Sequence, residues 1–153
     1  MKLEIFTDGA SSPNHPEKIG GWAWAYKLPD GSIVESSGGR HMTTNNVMEM
    51  WAVIDAMNNL PPPPPYEEYV IYSDSQYVVR GINEWVEGWM KRGWKTADGK
   101  QVANIPLWWE MHNIYSNLLK NNVKITIAWV KGHADSEMNN YVDRLCVAAK
   151  QDV

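Results

Sequence analysis

The chain has 153 residues, of which 44% are hydrophobic and 21% are charged, so residues 1–153 can form one globular domain with a sizeable core. Its single cysteine, Cys146, excludes an intrachain disulfide framework and favours a reducing compartment. The apolar neighbours of Cys146 indicate a buried structural thiol on a helix. No N-terminal segment resembles a signal peptide, and no stretch approaches the roughly 20 apolar residues of a membrane span. We therefore expect a single-domain cytoplasmic protein that does not bind membranes.

The formal net charge is −4, whereas proteins that bind nucleic acids are usually basic. This charge is unevenly distributed, because the segment 88–104 contains four basic residues and one acidic residue. A nucleic-acid partner is therefore compatible with the composition. Its non-specific affinity should be modest and should fall quickly as the salt concentration rises.

The first half of the chain predicts three strands and a helix. Alternating residues favour strands at 2–8, at 20–26 and near 32–37, with a turn at 29–31. Apolar positions then recur with helical spacing over 46–59, after Thr44 or Asn45 as the capping residue. The five prolines at 61–65 must end this helix. They favour a short stiff connector, and a motif that docks onto a partner is the alternative.

The second half alternates between strands and helices. Strands are predicted at 69–72 and 123–130, helices at 75–81, 84–92, 107–120 and 140–149, and a loop at 132–139. Successive strands followed by strands that alternate with helices indicate an α/β fold. We expect a mixed five-stranded sheet, with three antiparallel strands and then parallel additions, flanked by helices.

Four acidic residues lie in separate local motifs. Asp8 and Asp74 follow predicted strands, whereas Glu49 and Asp143 lie on predicted helices. Acidic residues at the carboxyl ends of strands lie where open α/β sheets commonly bind ligands. Carboxylates that converge there repel one another unless cations neutralise them, and hard oxygen ligands favour Mg²⁺ or Mn²⁺. Each acid alone is also explained as a turn, cap or surface residue, but one metal site explains all four together.

Five motifs occur in an order typical of a known family: Asp8-Gly9-Ala10-Ser11, Thr43-Thr44-Asn45-Asn46-Val47-Met48-Glu49, Ser73-Asp74-Ser75-Gln76, Lys131-Gly132-His133 and Tyr141-Val142-Asp143. Together with the tryptophan-rich segment 85–96, they resemble prokaryotic type 1 ribonuclease H over nearly the whole chain. The resemblance implies a ribonuclease H-like fold. It also implies an endoribonuclease that hydrolyses the RNA strand of RNA·DNA hybrids and leaves 5′-phosphate and 3′-hydroxyl ends.

The same resemblance implies a mechanism with two Mg²⁺ ions, for which Mn²⁺ is a possible substitute. Asp8 would bridge the two ions, Asp143 would help to hold the ion that carries the attacking water, and Glu49 with Asp74 would hold the other. His133 would move protons or assist product departure, which suits a side chain that titrates near neutrality.

The resemblance also implies contacts with the hybrid. The 2′-hydroxyl distinguishes RNA from DNA, and the family residues that read it and the adjacent base edges match Gly9, Ala10, Ser11, Asn45, Asn46, Glu49 and Gln76. Residues near backbone contacts match Asn14, Thr44 and Asn104, the last two in a pocket for a DNA phosphate. A basic protrusion at about 84–104 would contribute Trp85, Lys91, Arg92 and Lys95.

Some residues depart from the family pattern. Asn140 stands where relatives often have Glu, and Glu84, Glu87 and Met90 make the protrusion less positive than in some relatives. Most of the nine tryptophans are expected in the core, with Trp85 as the exception.

Two other functions remain open. One is the ribonuclease H part of a reverse transcriptase, and the other is a catalytically silent module that binds hybrids. The silent module should lack at least one of the four acids, and all four are present. We expect a monomer whose partner is an RNA·DNA hybrid.

Overall fold

The computed structural model describes residues 1–131 and 136–153 and contains a mixed five-stranded sheet. Its strands are β1 (Lys2–Ser11), β2 (Gly20–Lys27), β3 (Ile33–Arg40), β4 (Glu68–Ser73) and β5 (Lys124–Trp129). Their spatial order is β3-β2-β1-β4-β5. β2 pairs antiparallel with β1 and β3, whereas β4 pairs parallel with β1 and β5. The predicted arrangement of antiparallel strands followed by parallel additions is confirmed.

The helices are α1 (Asn45–Asn58), α2 (Gln76–Arg80), α3 (Val86–Lys91), α4 (Ile105–Lys120) and α5 (Glu137–Gln151). A π-helical turn, Gly81–Trp85, joins α2 to α3, so the two helices predicted there form one continuous helical segment. The predicted loop at 132–139 is wrong for residues 137–139, because the Ser136 side chain accepts a hydrogen bond from the Asn139 amide and caps α5 earlier than expected.

Apolar side chains form a layer on each face of the sheet. On one face, β1 and β2 pack against α1, and α4 packs beside α1 and against β5; this layer includes Leu3, Ile5, Trp24, Val53, Ile54 and Trp108. On the other face, Ala23 and Ala25 of β2 pack against Met138, Val142 and Cys146 of α5. Gly21 allows this close approach, because a Cβ there would lie 2.2 Å from the Cys146 carbonyl oxygen. The prediction that Cys146 is buried is confirmed.

Most of the tryptophans contact the core, as predicted, but few of them are fully buried. Of the nine, only Trp24 and Trp108 are buried, whereas Trp109 and Trp129 are 49% and 46% exposed. Rings between residues 85 and 109 also contact one another, as Trp85 does Trp89 and Trp94 does Trp109. Trp22, Trp51, Trp89 and Trp94 pack against the main core cluster and keep part of their surface exposed.

Two segments complete the described structure. The prolines at 61–65 connect α1 to β4, as predicted, and those at 62–65 are exposed. Among residues 1–131 and 136–153, no helix has the length and apolar character needed to cross a membrane.

Candidate active site

Two of the four acids meet at the carboxyl ends of the neighbouring strands β1 and β4. β1 pairs with β4 as far as Phe6 and Tyr72, whereas its pairing with β2 continues through Asp8 to the end of the strand. Asp8 therefore lies just beyond the parallel pairing, and Asp74 directly follows β4. The Thr7 hydroxyl donates to the Tyr72 carbonyl oxygen at 2.7 Å and ties the two strands together at this point. The carboxyl ends of parallel strands thus bring Asp8 and Asp74 together.

Helix α1 supplies the third acid. The Gly9 amide donates at 2.8 Å to Oδ1 of Asp8 and also at 2.8 Å to Oε1 of Glu49. Glycine is required here, because a Cβ at Gly9 would lie 2.5 Å from the Glu49 backbone nitrogen. The buried Ser73 hydroxyl donates to the other oxygen of Glu49 at 3.4 Å. The backbone of β1 and the side chain of Ser73 therefore fix Glu49 beside Asp8.

These three carboxyl groups form a compact cluster. One oxygen from each of Asp8, Glu49 and Asp74 lies within 4.8 Å of the others. Burial, followed by the negative charge of Asp74, raises the pKa of Asp8 to about 7. Burial, followed by the charges of Asp74 and Asp8, raises the pKa of Glu49 well above its usual value. The fold thus holds negative groups where they repel one another and where water solvates them poorly.

A divalent cation fits this cluster. The ligand atoms are hard carboxylate oxygens, which suit Mg²⁺ and Mn²⁺, and a cation would stabilise the ionised forms that burial disfavours. Asp8 and Glu49 are each 8% exposed, so solvent alone offsets little of their mutual repulsion. The chemistry of the donor set therefore agrees with a site for a hard divalent cation.

Helix α5 contributes the fourth acid. One oxygen each from Asp8 and Asp143 and the sulfur of Cys146 lie within 4.8 Å of one another. The Cys146 thiol donates to the Asp143 carbonyl oxygen at 3.2 Å, and burial raises the pKa of this thiol. The sequence did not indicate that the thiol lies this close to the acids. Asp8 therefore belongs to two groups of neighbouring ligand atoms, one with Glu49 and Asp74 and one with Asp143 and Cys146.

Four residues of the pocket were not among the predicted site residues: Thr7, Asn139, Asn140 and Val142. The pocket between β1, β4 and α5 is lined by Thr7, Asp8, Asp74, Asn139, Asn140, Val142 and Asp143. The Asn139 side-chain nitrogen is buried and has no hydrogen-bond partner within the described residues. Asn139 precedes Asp143 by one helical turn, which places both on one face of α5. This spacing was the available signal, but the helix was expected to begin at 140.

The residues predicted to contact RNA lie at the ends of β1 and α1. Ser11 Oγ donates to the side-chain oxygen of Asn45 at 2.8 Å, so these two predicted residues are brought together. Asn46 and Gln76 are exposed at the first turns of α1 and α2. The Gly9 amide is engaged by the two carboxylates, and Ala10 follows it on β1. Asn14 lies exposed in the turn between β1 and β2.

The residues predicted to contact DNA are distributed over two other regions. The Thr44 hydroxyl caps α1 by accepting from the Val47 amide at 3.2 Å. Asn104 adopts a left-handed backbone conformation, and its side-chain nitrogen donates to the Tyr77 hydroxyl at 3.2 Å. These contacts give both residues structural tasks in addition to the predicted one.

The protrusion segment, defined as residues 84–104, combines an aromatic base with exposed positive charges. The Trp85 ring lies 5.7 Å from the Trp89 ring, and the Arg80 guanidinium lies 5.1 Å from the Trp85 ring centroid. Its predicted basic residues, Lys91, Arg92 and Lys95, are all exposed. The predicted catalytic residue His133 lies outside the described residues.

Comparisons with known proteins agree with this architecture. The sequence model of the RNase H family matches residues 1–151. Ribonuclease H of Agrobacterium fabrum is 43% identical over 143 residues, which cover 94% of this chain and 90% of that protein. Ribonuclease H of Treponema denticola is 38% identical over 164 aligned residues, which cover 99% of this chain and 98% of that protein.

Solved structures show the same fold. The crystal structure of LC9-RNase H1, a type 1 enzyme with the type 2 active-site motif, is 30% identical and superposes with a TM-score of 0.74 over 99% of this chain and 72% of its own. LC11-RNase H1 in complex with an RNA/DNA hybrid has a TM-score of 0.67 and 20% identity, covering 98% and 97% of the two chains. The resemblance to type 1 ribonuclease H is thus confirmed, and the chain belongs to the ribonuclease H family of metal-dependent nucleases.

Proposed function

We propose that this protein is an endoribonuclease that hydrolyses the RNA strand of RNA·DNA hybrids with two divalent cations, leaving 5′-phosphate and 3′-hydroxyl ends. The observation that carries the proposal is the buried cluster of Asp8, Glu49 and Asp74, whose oxygens lie within 4.8 Å of one another. Family membership supports ribonuclease activity. The structural relative solved with an RNA/DNA hybrid supports the proposed substrate.

The acids would divide into two overlapping sets of cation ligands. Asp8, Glu49 and Asp74 would form one set, and Asp8 with Asp143 the other. The membership of Asp8 in both groups of neighbouring ligand atoms supports its proposed bridging role. Mg²⁺ ions would neutralise charge on the phosphate and activate water for in-line displacement, and Mn²⁺ is a possible substitute. His133 would accept or donate a proton during hydrolysis or product departure.

Selection of the RNA strand would depend on groups around the first turn of α1. The side chains of Asn45, Asn46 and Gln76 are exposed and carry both donors and acceptors, which suits them to 2′-hydroxyls and base edges. The Ser11–Asn45 hydrogen bond would orient the Asn45 amide toward the substrate. Gly9, Ala10 and Asn14 complete the proposed contacts from β1 and the turn that follows it.

The DNA strand would lie against a different surface. Thr44 and Asn104 would bind a phosphate, Trp85 would pack against the strand, and Lys91, Arg92 and Lys95 would neutralise further phosphates. Exposure of all three basic side chains supports this assignment. The same proposal treats residues 1–153 as a single catalytic domain that acts as a monomer. A cytoplasmic location stays a prediction.

A cleavage assay with matched duplexes tests the proposal. Labelled RNA·DNA, RNA·RNA and DNA·DNA duplexes of one sequence are incubated with the protein and Mg²⁺, and parallel reactions contain a chelator. We expect cleavage only of the RNA strand in RNA·DNA, with none in chelator. Treatment of the products with phosphatase and ligase checks the predicted ends. Equal cleavage of the other duplexes would refute hybrid specificity, and binding of the hybrid without cleavage would indicate the silent module instead.

A further inference from the structure

Asp74 is the member of the acidic cluster that lies outside the regular elements. Asp8 belongs to β1 and Glu49 to α1, whereas Asp74 lies between the end of β4 at Ser73 and the start of α2 at Gln76. A carboxylate on a short connection depends on the backbone around it for its position. The contacts that hold this connection therefore control how well the three acids converge.

One of these contacts is made by a tryptophan side chain. The indole nitrogen of Trp129 donates to the backbone carbonyl oxygen of Asp74 at 3.1 Å. Trp129 is the last residue of β5 and lies opposite Ser73 in the parallel register. The next residue, Val130, donates its amide to the Ser73 carbonyl oxygen at 3.0 Å. Trp129, at the end of β5, thus holds the carbonyl group of Asp74, and Val130, which follows it, holds the carbonyl group of Ser73.

Packing alone does not explain a tryptophan at this position. Trp129 is 46% exposed, although β5 has the buried residues Ile125 and Ile127 on its inner face. Its hydrogen bond is local to the acidic cluster, since Asp74 supplies an oxygen within 4.8 Å of both Asp8 and Glu49. The polar end of the ring, rather than its apolar surface, makes the contact that connects it to the site.

We propose that Trp129 is a positioning residue for cation binding, which fixes the backbone of Asp74 and thereby holds its carboxylate near Asp8 and Glu49. This inference rests on the proposed function only in the assignment of Asp74 as a cation ligand. Loss of the indole N–H should leave Asp8 and Glu49 in place but allow Asp74 and its connection to move. Cation affinity should then fall while the fold is retained.

Mn²⁺ titration of the protein without nucleic acid, followed by electron paramagnetic resonance, tests the inference independently of cleavage. Trp129→Phe removes the N–H and part of the ring, and replacement of Trp129 by benzothienylalanine removes the N–H while keeping the bicyclic shape. Since one net hydrogen bond is at stake, we expect Mn²⁺ affinity to fall about three- to tenfold in both variants. Trp109→Phe is the matched control, because Trp109 is similarly exposed at 49% and should leave Mn²⁺ affinity unchanged.

A double-mutant cycle distinguishes positioning from a general structural role. In the Asp74→Asn background, loss of the Trp129 N–H should cause no further loss of Mn²⁺ affinity, because its effect passes through the Asp74 carboxylate. An equal loss in both backgrounds would overturn the inference. So would unchanged Mn²⁺ affinity in the benzothienylalanine variant, whose preserved shape guards against misfolding of Trp129→Phe.

Cleavage then separates this inference from the proposed function. The Trp129 variants should require about three- to tenfold more Mg²⁺ for half-maximal rate and regain most of the wild-type kcat at saturating Mg²⁺. A kcat that stays low at every Mg²⁺ concentration would contradict a role in cation binding. If the wild type bound Mn²⁺ with the expected dependence on Trp129 but cut no hybrid, the proposed function would fail and the inference would stand. If the wild type bound no Mn²⁺, the inference would fail.

Discussion

The carboxylate site and the protrusion segment differ in how firmly the fold holds their charged side chains. Asp8 and Glu49 are each 8% exposed and share one backbone donor, the Gly9 amide. Lys91 and Lys95 of the protrusion are exposed and, within the described residues, form no salt bridge. Buried acids with fixed partners suit a reacting centre, whereas exposed positive charges suit the binding of a long polyanion. Substitutions in the first region should therefore change turnover, and those in the second should change affinity.

The largest effect is expected from substitution of Asp8, because this residue belongs to both groups of neighbouring ligand atoms. Asp8→Asn should lower kcat about 10⁴-fold or more, equivalent to about 5.4 kcal/mol, because both proposed cation sites lose a ligand. Asp152→Asn, a substitution at an exposed acid near the C-terminus, is the control and should keep wild-type activity. Steady-state kinetics with Mg²⁺ and circular dichroism measure activity and folding. Retention of more than about a tenth of activity by folded Asp8→Asn would refute the bridging role, since it is less than a 1.4 kcal/mol effect.

Substitution of the proposed proton carrier should have a smaller effect. His133→Ala should lower kcat about 10²–10⁴-fold, the usual contribution of general acid–base catalysis, and should retain more activity than Asp8→Asn. Hybrid affinity, measured in Ca²⁺ to prevent turnover, should stay close to that of the wild type because the proposed cation ligands are the four acids and not His133. A variant that also lost hybrid binding would show that His133 anchors the substrate or the fold.

The buried acids also predict how the metal-free protein responds to pH. Because the pKa of Asp8 is raised from 3.8 to about 7, the folded state binds more protons than the unfolded state between these values. The contribution of Asp8 to stability should therefore be fully present below about pH 4 and should be lost as the pH rises through 7. Thermal melts in chelator measure this trend, which Asp8→Asn should weaken and Mn²⁺ should oppose. A melting temperature that rises steadily from pH 4 to 7 in chelator would contradict it.

The protrusion should give the smallest effect and a different kinetic pattern. Replacement of Lys91, Arg92 and Lys95 by Ala should raise KM for long hybrids about tenfold with little change in kcat, because phosphate contacts bind ground and transition states alike. The slope of log affinity against log salt should become shallower by about 0.9 for each phosphate that the variant no longer neutralises. Alanine at Lys2, Lys120 and Lys124, which are exposed elsewhere, controls for net charge. An unchanged salt slope in the protrusion variant would show that this segment does not bind the substrate.

Local patterns predicted most of the fold. Alternation identified most of the strands, a short apolar run identified β4, and helical spacing identified α1 and α4. The end of β1 was placed too early, at residue 8, since an Asp-Gly pair is typical of a turn. In the structure the strand continues to Ser11 because β2 goes on pairing with it after β4 has diverged. Such an end depends on tertiary pairing, which no local pattern contains.

The candidate site was predictable in its residue types but not in its contacts. The motifs identified the four acids, whose assignment as cation ligands stays a prediction. The hydrogen bond from the Gly9 amide to Glu49 forms only when α1 packs on the sheet, and Cys146 lies near Asp8 only when α5 packs on it. Gly21 allows α5 to approach β2 closely, and this contact joins two segments that are distant in the sequence. The Trp129 contact with Asp74 likewise joins residues 55 positions apart.

Cleavage of a hybrid labelled differently on its two strands tests the central claim most directly. One dye marks the RNA strand and another the DNA strand, and the products are separated after incubation with Mg²⁺ or with chelator. The account predicts fragments that carry only the RNA label, formed only with Mg²⁺ and absent with Asp8→Asn. Fragments from both strands, or RNA fragments that persist in chelator, would contradict a cation-dependent site that selects the RNA strand of a hybrid.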